Sequence, residues 1–76
     1  LHNIDAEVFE FEVKQGAKVT EHPIKDLRFP REAVFGGVIR NKKAMMATGD
    51  MQIQTGDKVI VFCLPEAIHT VERLFN

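Results

Sequence analysis

Apolar and polar residues alternate strictly near the start of the chain. In Ala6–Val13, AEVFEFEV, Phe9, Phe11 and Val13 alternate with Glu10 and Glu12, the period-two pattern of a half-buried strand. Gln15-Gly16 ends that strand. Pro23 then predicts a short helix from its first position, with Ile24, Leu27 and Arg28 following, and Pro30 prevents continuation past Phe29. Ala33–Arg40, AVFGGVIR, predicts a second strand. Its central Gly36-Gly37 implies a bulge or the close approach of another backbone. Asn41-Lys42-Lys43 reads as a polar turn and Ala44–Ala47 as a short third strand. Thr48-Gly49-Asp50 and Thr55-Gly56-Asp57 are turns, because Gly supplies positive φ and Asp bonds nearby backbone amides. Between them Met51 and Ile53 alternate with Gln52 and Gln54, so the count of middle strands is two or three. Lys58–Leu64, KVIVFCL, is apolar on both faces, as a central strand covered on both sides would be. Pro65 starts a closing helix with Glu66 in its first turn. Ala67, Ile68, Val71, Leu74 and Phe75 form its apolar face, and Glu72 and Arg73 point away. The pattern predicts an α+β fold: a small, mostly antiparallel sheet, a short helix after the first strand, and a C-terminal helix packed on the sheet.

Composition narrows what such a fold can do. The chain has 76 residues, room for one domain over 1–76, with 45% hydrophobic and 28% charged residues, a balance that suits a globular fold. A domain of this size buries only about 60% of its unfolded surface, so it is marginal alone, and a homodimer is the expectation. The formal net charge of −1 gives no general pull toward nucleic acid. The single cysteine excludes an intrachain disulfide, and no apolar run approaches the ~20 residues that cross a bilayer. The first residue is Leu1, which reads as a piece of a longer chain.

Candidate chemistry is sparse. His2, His22 and His69 match no zinc spacing, so no metal site is expected. Cys63 lies in the most apolar strand and reads as an inert core thiol. Glu10 and Glu12 share a strand face, but their alternation with apolar residues puts them in solvent, where a carboxyl is not tuned for acid catalysis. No glycine-rich phosphate loop is present, which argues against a bound dinucleotide. Arg40-Asn41-Lys42-Lys43 is either a phosphate contact or a hairpin turn, and Arg28 and Arg31 are either anion ligands or ordinary surface residues. No nucleophile, base and oxyanion hole come together, so the chain does not read as an enzyme.

Several segments together resemble the TrkA C-terminal domain, also called the RCK C-terminal domain: AEVFEFEV, Asp26-Leu27-Arg28, GGVIRN at Gly36–Asn41, and TGDMQIQTGDKVIVFCLPEAIHTVERLF from Thr48 to Phe75. The resemblance covers nearly the whole chain and implies a ligand-sensing, homodimeric domain of a cytoplasmic subunit, peripheral to the inner face of the cell membrane, that regulates a potassium transporter or channel. It further implies an upstream nucleotide-binding domain that holds NAD or ATP, while this domain itself carries no cofactor. Similar domains occur on other cation antiporters and anion permeases. A purely structural dimerisation module, or a subdomain of an enzyme whose catalytic residues lie upstream, are the rival readings. Some relatives bind cyclic di-adenosine monophosphate in the dimer cleft through an Arg after the short helix and an Asn six positions later. Arg28 matches that Arg and is the ligand-binding residue the resemblance implies. The later position is Val34, preceded by Ala33, so a polar group is missing. The expectation is therefore a small anionic ligand at Arg28 other than this cyclic dinucleotide.

Overall fold

The computed structural model describes residues 5–76, so His2 lies outside the described residues. Four strands form one antiparallel sheet: β1 (Glu7–Glu12), β2 (Ala33–Arg40), β3 (Lys43–Met45) and β4 (Lys58–Cys63), in the order β1-β4-β2-β3. A single α-helix, α1 (Ile68–Phe75), follows β4. The α+β fold expected from the pattern is the one observed, with strand boundaries moved by up to two residues. The last strand in the chain, β4, sits between the two longest of the other strands, β1 and β2.

Register separates the sheet into two faces. Val59, Val61 and Cys63 of β4 are buried. They stand opposite Phe11, Phe9 and Glu7 on one side, and opposite Val38, Phe35 and Ala33 on the other. Phe35 and Val38 are three residues apart, yet both serve the inner face. Gly36 is the extra residue that makes this possible: the pairing steps from Phe35↔Val61 to Gly37↔Ile60, a bulge that restores the inward alternation. The close approach expected at this glycine pair is made by the Phe62 ring at Gly36, not by backbone.

Val71 and Phe75 of α1 are buried in the same cluster as Val59, Val61 and Val38. Phe75 is its aromatic centre. Its ring stacks on Phe11 at 4.8 Å and meets Phe29 and Phe35 edge-on at 6.3 and 6.4 Å. Pro65–Ala67 forms a 3-10 turn that runs into α1, so the helix begins three residues later than Pro65 suggests.

Two expectations need correction, and the open count of middle strands resolves to two. The short helix expected from Pro23 is only a 3-10 turn, Ile24–Asp26, after which Leu27 already returns to extended backbone (φ −80°, ψ 141°), and a separate 3-10 turn, Lys18–Thr20, precedes it. His22-Pro23 divides them, because Pro23 has no N–H with which to continue the first turn. Met51–Gln54 is not a strand. Its backbone bonds go to loops and side chains: the Met51 carbonyl accepts from Ile24 N–H, the Gln52 carbonyl from Arg40, and Gln54 N–H donates to Asp57. Finally, β4 is covered on one face only. Phe62 is 46% exposed, and Val8 and Val34, which flank it in register, are 61% and 62% exposed.

Candidate functional site

Between the first 3-10 turn and the end of α1 lies a cavity of about 410 Å³, walled by Val19, Leu27, Phe29 and Leu74 and rimmed by Lys18, Glu21, His22, Asp26 and Arg28. The local sequence explains its shape. Val19 is buried and anchors the first turn, whose hydrogen bonds run from Thr20 N–H to the Ala17 carbonyl and from Glu21 N–H to the Lys18 carbonyl. The second turn is tied down from the other side. Ile24 N–H donates to the Met51 carbonyl and Lys25 N–H to the Gly49 carbonyl, while the Gln52 amide holds the first turn by donating to the Thr20 carbonyl at 2.7 Å. The chain then leaves in extended form, with Leu27 and Phe29 partly buried and Arg28 between them exposed. Pro30 favours that extended conformation at Phe29. The guanidinium of Arg28 is thus carried on a fixed backbone and reaches solvent at the cavity rim.

Among the described residues the ion pairs are Lys14–Glu12, Lys25–Asp50 and Arg40–Asp57, and Arg28 takes part in none. The cavity rim mixes charges, with Lys18, Arg28, Glu21 and Asp26 all among its residues, together with His22. Lys18 and His22 belong to this rim without having been singled out as ligand residues, since nothing in a polar loop sequence marks which side chains will converge. Arg31, the other candidate arginine, is exposed and does not line the cavity. Val34 does not line it either. It lies on the outer face of the sheet, six residues on, so within one chain Arg28 and Val34 do not share a pocket.

The other candidates resolve without chemistry. Arg40 is drawn out of its basic cluster by Asp57, in a bidentate pair of 2.9 Å from Nε to Oδ1 and 2.8 Å from Nη2 to Oδ2. Burial pushes the Asp57 carboxyl up, but the Arg40 hydrogen bonds, the Gln54 amide and the Arg40 charge outweigh it and hold the group below its ordinary value. Asn41 and Lys42 form the two-residue hairpin turn, both with positive φ (52° and 66°), as the tight turn between twisted strands requires. Glu10 and Glu12 are exposed. The hydrogen bond from Lys14 keeps the Glu12 carboxyl below the usual range. Cys63 is buried, its thiol donates to the Leu64 carbonyl at 3.2 Å, and burial together with nearby Glu32, Glu66 and Glu7 raises its pKa. His69 is exposed on α1, and among the described residues no three His, Cys, Asp or Glu side chains are grouped to hold a metal ion.

Residues 8–76 match the TrkA-C domain family. The chain is 31% identical over 71 residues, 93% of its length, to "Trk system potassium uptake protein TrkA homolog 2" of Methanosarcina mazei. It is 37% identical over 63 residues, 82% of its length, to "Trk system potassium uptake protein TrkA" of Halomonas elongata. These matches span only 16% and 14% of those two relatives. A solved structure described as "Structure of RCK domain with cda" superposes with a TM-score of 0.76 at 21% identity, covering 91% of this chain and 97% of that one.

Proposed function

The chain belongs to the TrkA-C domain family, and from that premise we propose that it is the non-catalytic, ligand-sensing and dimerisation domain of a cytoplasmic subunit that regulates potassium transport. The relatives supporting this are Trk potassium uptake proteins, far longer than this chain. In this reading a nucleotide-binding domain lies upstream and holds the NAD or ATP. The membrane partner is a potassium transporter or channel subunit at the inner face of the cell membrane. In this reading the link to the pore is contact with that partner; no described helix is long and apolar enough to cross a membrane. The mechanism is differential: a ligand moves the pore only by binding one geometry of the assembled subunits better than the other.

The observation that carries the sensing role is Arg28 at the rim of the 410 Å³ cavity, outside every ion pair of the described residues. A guanidinium offers phosphate or carboxylate two parallel hydrogen bonds, a geometry Lys cannot reproduce. Glu21 and Asp26 on the same rim favour a ligand that carries hydrogen-bond donors as well as an anionic group. Val34 argues against cyclic di-adenosine monophosphate. An adenine edge facing valine loses its hydrogen bonds, at about 1–3 kcal/mol for each unsatisfied group, and a twofold cleft repeats the loss. Pyrophosphate, followed by NMR on the purified protein, tests the arginine. Its shift changes are expected to gather on Lys18, His22 and Arg28, and Arg28→Ala is expected to weaken binding about 10- to 100-fold, as the loss of a charge-assisted hydrogen-bonding group implies. Binding unchanged in Arg28→Ala refutes its role, and submicromolar affinity for the cyclic dinucleotide refutes the argument from Val34.

A further inference from the structure

Residues Gly49–Gln52 touch both turns that line the cavity, and they hold them unequally. The second turn takes two backbone bonds, Ile24 N–H to the Met51 carbonyl at 2.9 Å and Lys25 N–H to the Gly49 carbonyl at 3.0 Å, together with an ion pair from Lys25 to Asp50 at 3.0 Å. The first turn takes one side chain. Gln52 Nε2 donates to the Thr20 carbonyl at 2.7 Å. A carbonyl only accepts, so the nitrogen end of that amide is fixed toward Thr20. Among the described residues, every other hydrogen bond of residues 17–22 stays within 14–21. Ala17 and Val19 are buried in the core and anchor the start of the turn. Its far end, from Thr20 to His22, is tied to another segment by the Gln52 hydrogen bond alone. Gln52 is itself held from behind: its carbonyl accepts from Arg40 Nη2 at 3.0 Å, the guanidinium that pairs with Asp57, and its neighbour Ile53 is buried.

We infer that Gln52 is the positioning residue of this cavity: its side chain sets Lys18 and His22 at a fixed spacing from Arg28, and that spacing selects a ligand with two linked anionic groups, such as a diphosphate, over a single one. The inference rests on the reading of Arg28 as the anion contact and adds what places the rest of the site. Lys18, His22 and Arg28 line one cavity, but Lys18 lies in the first turn and His22 just after it, whereas Arg28 follows the second. An anion held by Arg28 alone is indifferent to the distance between the turns. An anion that also reaches Lys18 is not. Residues three apart eclipse in a 3-10 turn, so Lys18 and Glu21 share a side, and both line the cavity. A turn free to swing at its far end therefore moves a carboxylate as well as an ammonium against the ligand. A turn already tied down needs no ordering when the ligand arrives, and the affinity gained comes from preorganisation rather than from a new contact.

The Gln52 side chain is exposed, and its bond from Arg40 is made to the backbone. Gln52→Met and Gln52→Leu therefore remove the donor to Thr20 and leave that tie in place. Pyrophosphate and orthophosphate, each titrated into the purified protein by NMR, are the probes, with urea unfolding as the check on the fold. Both variants are expected to bind pyrophosphate about 5- to 10-fold more weakly, the size that one neutral hydrogen bond carries, and orthophosphate within about 2-fold of the parent. Without any ligand, the Thr20 and Glu21 amides, which close the first turn, are expected to exchange with solvent about 5-fold faster or more in both variants. Equal losses for the two anions, unchanged pyrophosphate binding or unchanged exchange of those amides overturns the role of Gln52 while the reading of Arg28 stands. A parent that binds neither anion, or that binds pyrophosphate no better than Arg28→Ala, overturns the reading of the cavity and the inference with it.

Discussion

Replacing Arg40 with methionine isolates the one buried charge of the described structure. The Asp57 side chain is 3% exposed and accepts from three donors: Arg40 Nε at 2.9 Å, Arg40 Nη2 at 2.8 Å and Gln54 N–H at 2.9 Å. Arg40 Nη2 also reaches the Gln52 carbonyl at 3.0 Å, so one side chain ties the end of β2 to both sides of the 52–57 turn. Arg40→Met keeps most of the apolar stem and leaves the carboxylate buried with a single hydrogen bond. Removing one partner of a buried pair costs about 3–5 kcal/mol. The Arg40 side chain is 25% exposed, which lets water reach the gap and places the expected cost near 3 kcal/mol. A domain of this size is stable by roughly 4–11 kcal/mol in all, so the variant should fold but melt about 12–24 °C lower.

The pH dependence distinguishes a lost ion pair from lost packing. In the parent the Asp57 carboxyl is held below its ordinary value. Its contribution is complete above the unfolded-chain value near 3.9 and is lost as pH falls through the lower native value. In the variant the unpaired carboxylate is buried without its cation, so its pKa rises and the variant gains relative stability as pH falls from neutrality. The gap between the two proteins should therefore be widest at pH 7 and close toward pH 3. Urea unfolding at one fixed protein concentration measures it, since any self-association adds to apparent stability. A gap below about 1 kcal/mol at pH 7, or one that is constant from pH 7 to pH 3, would refute this account of the pair.

Two smaller perturbations test other parts of the fold. Lys42 holds φ at 66° in the hairpin turn, a conformation that disfavours a side chain, so Lys42→Gly is expected to raise stability by about 0.5–1 kcal/mol in thermal unfolding, and a loss would show that the lysine side chain contributes something the turn geometry does not. The Cys63 thiol, buried and raised in pKa first by that burial, should react with a disulfide reagent far more slowly in the native protein than in urea, and comparable rates would contradict its place in the core.

Much of the architecture was legible because each strand's inward set repeats every second residue. Phe9 and Phe11, then Val59, Val61 and Cys63, fall on one face by that rule alone. The rule fails at Gly36 for a physical reason: the bulge inserts one residue, so Phe35 and Val38 share a face despite odd spacing, and the glycine pair was the visible sign of it. Met51–Gln54 stayed open in the sequence because alternation reports burial, not hydrogen bonding. Ile53 does point into the core, but the backbone around it is claimed by Arg40 and Asp57, whose pairing 17 residues apart no local pattern encodes. The short helix expected from Pro23 stops after one 3-10 turn because Leu27 is already extended ahead of Phe29-Pro30.

Function was legible to a different depth. Arg28 could be singled out only through the resemblance to a family, since an exposed arginine in a loop carries no signal of its own. Its neighbours in the cavity include Lys18 of the first turn and His22 between the turns, and their convergence depends on how the 49–52 segment fastens both turns. The outer face was legible in a weaker sense. KVIVFCL is apolar on both sides, which states that both faces of β4 are to be covered; the single chain covers one. An excess of apolar residues over what one core consumes is a property a sequence can show, whereas the identity of the missing cover is a property of the assembly. That is why the outer half of the strand, Phe62 over Gly36 with Val8 and Val34 beside it, is left exposed by the single chain.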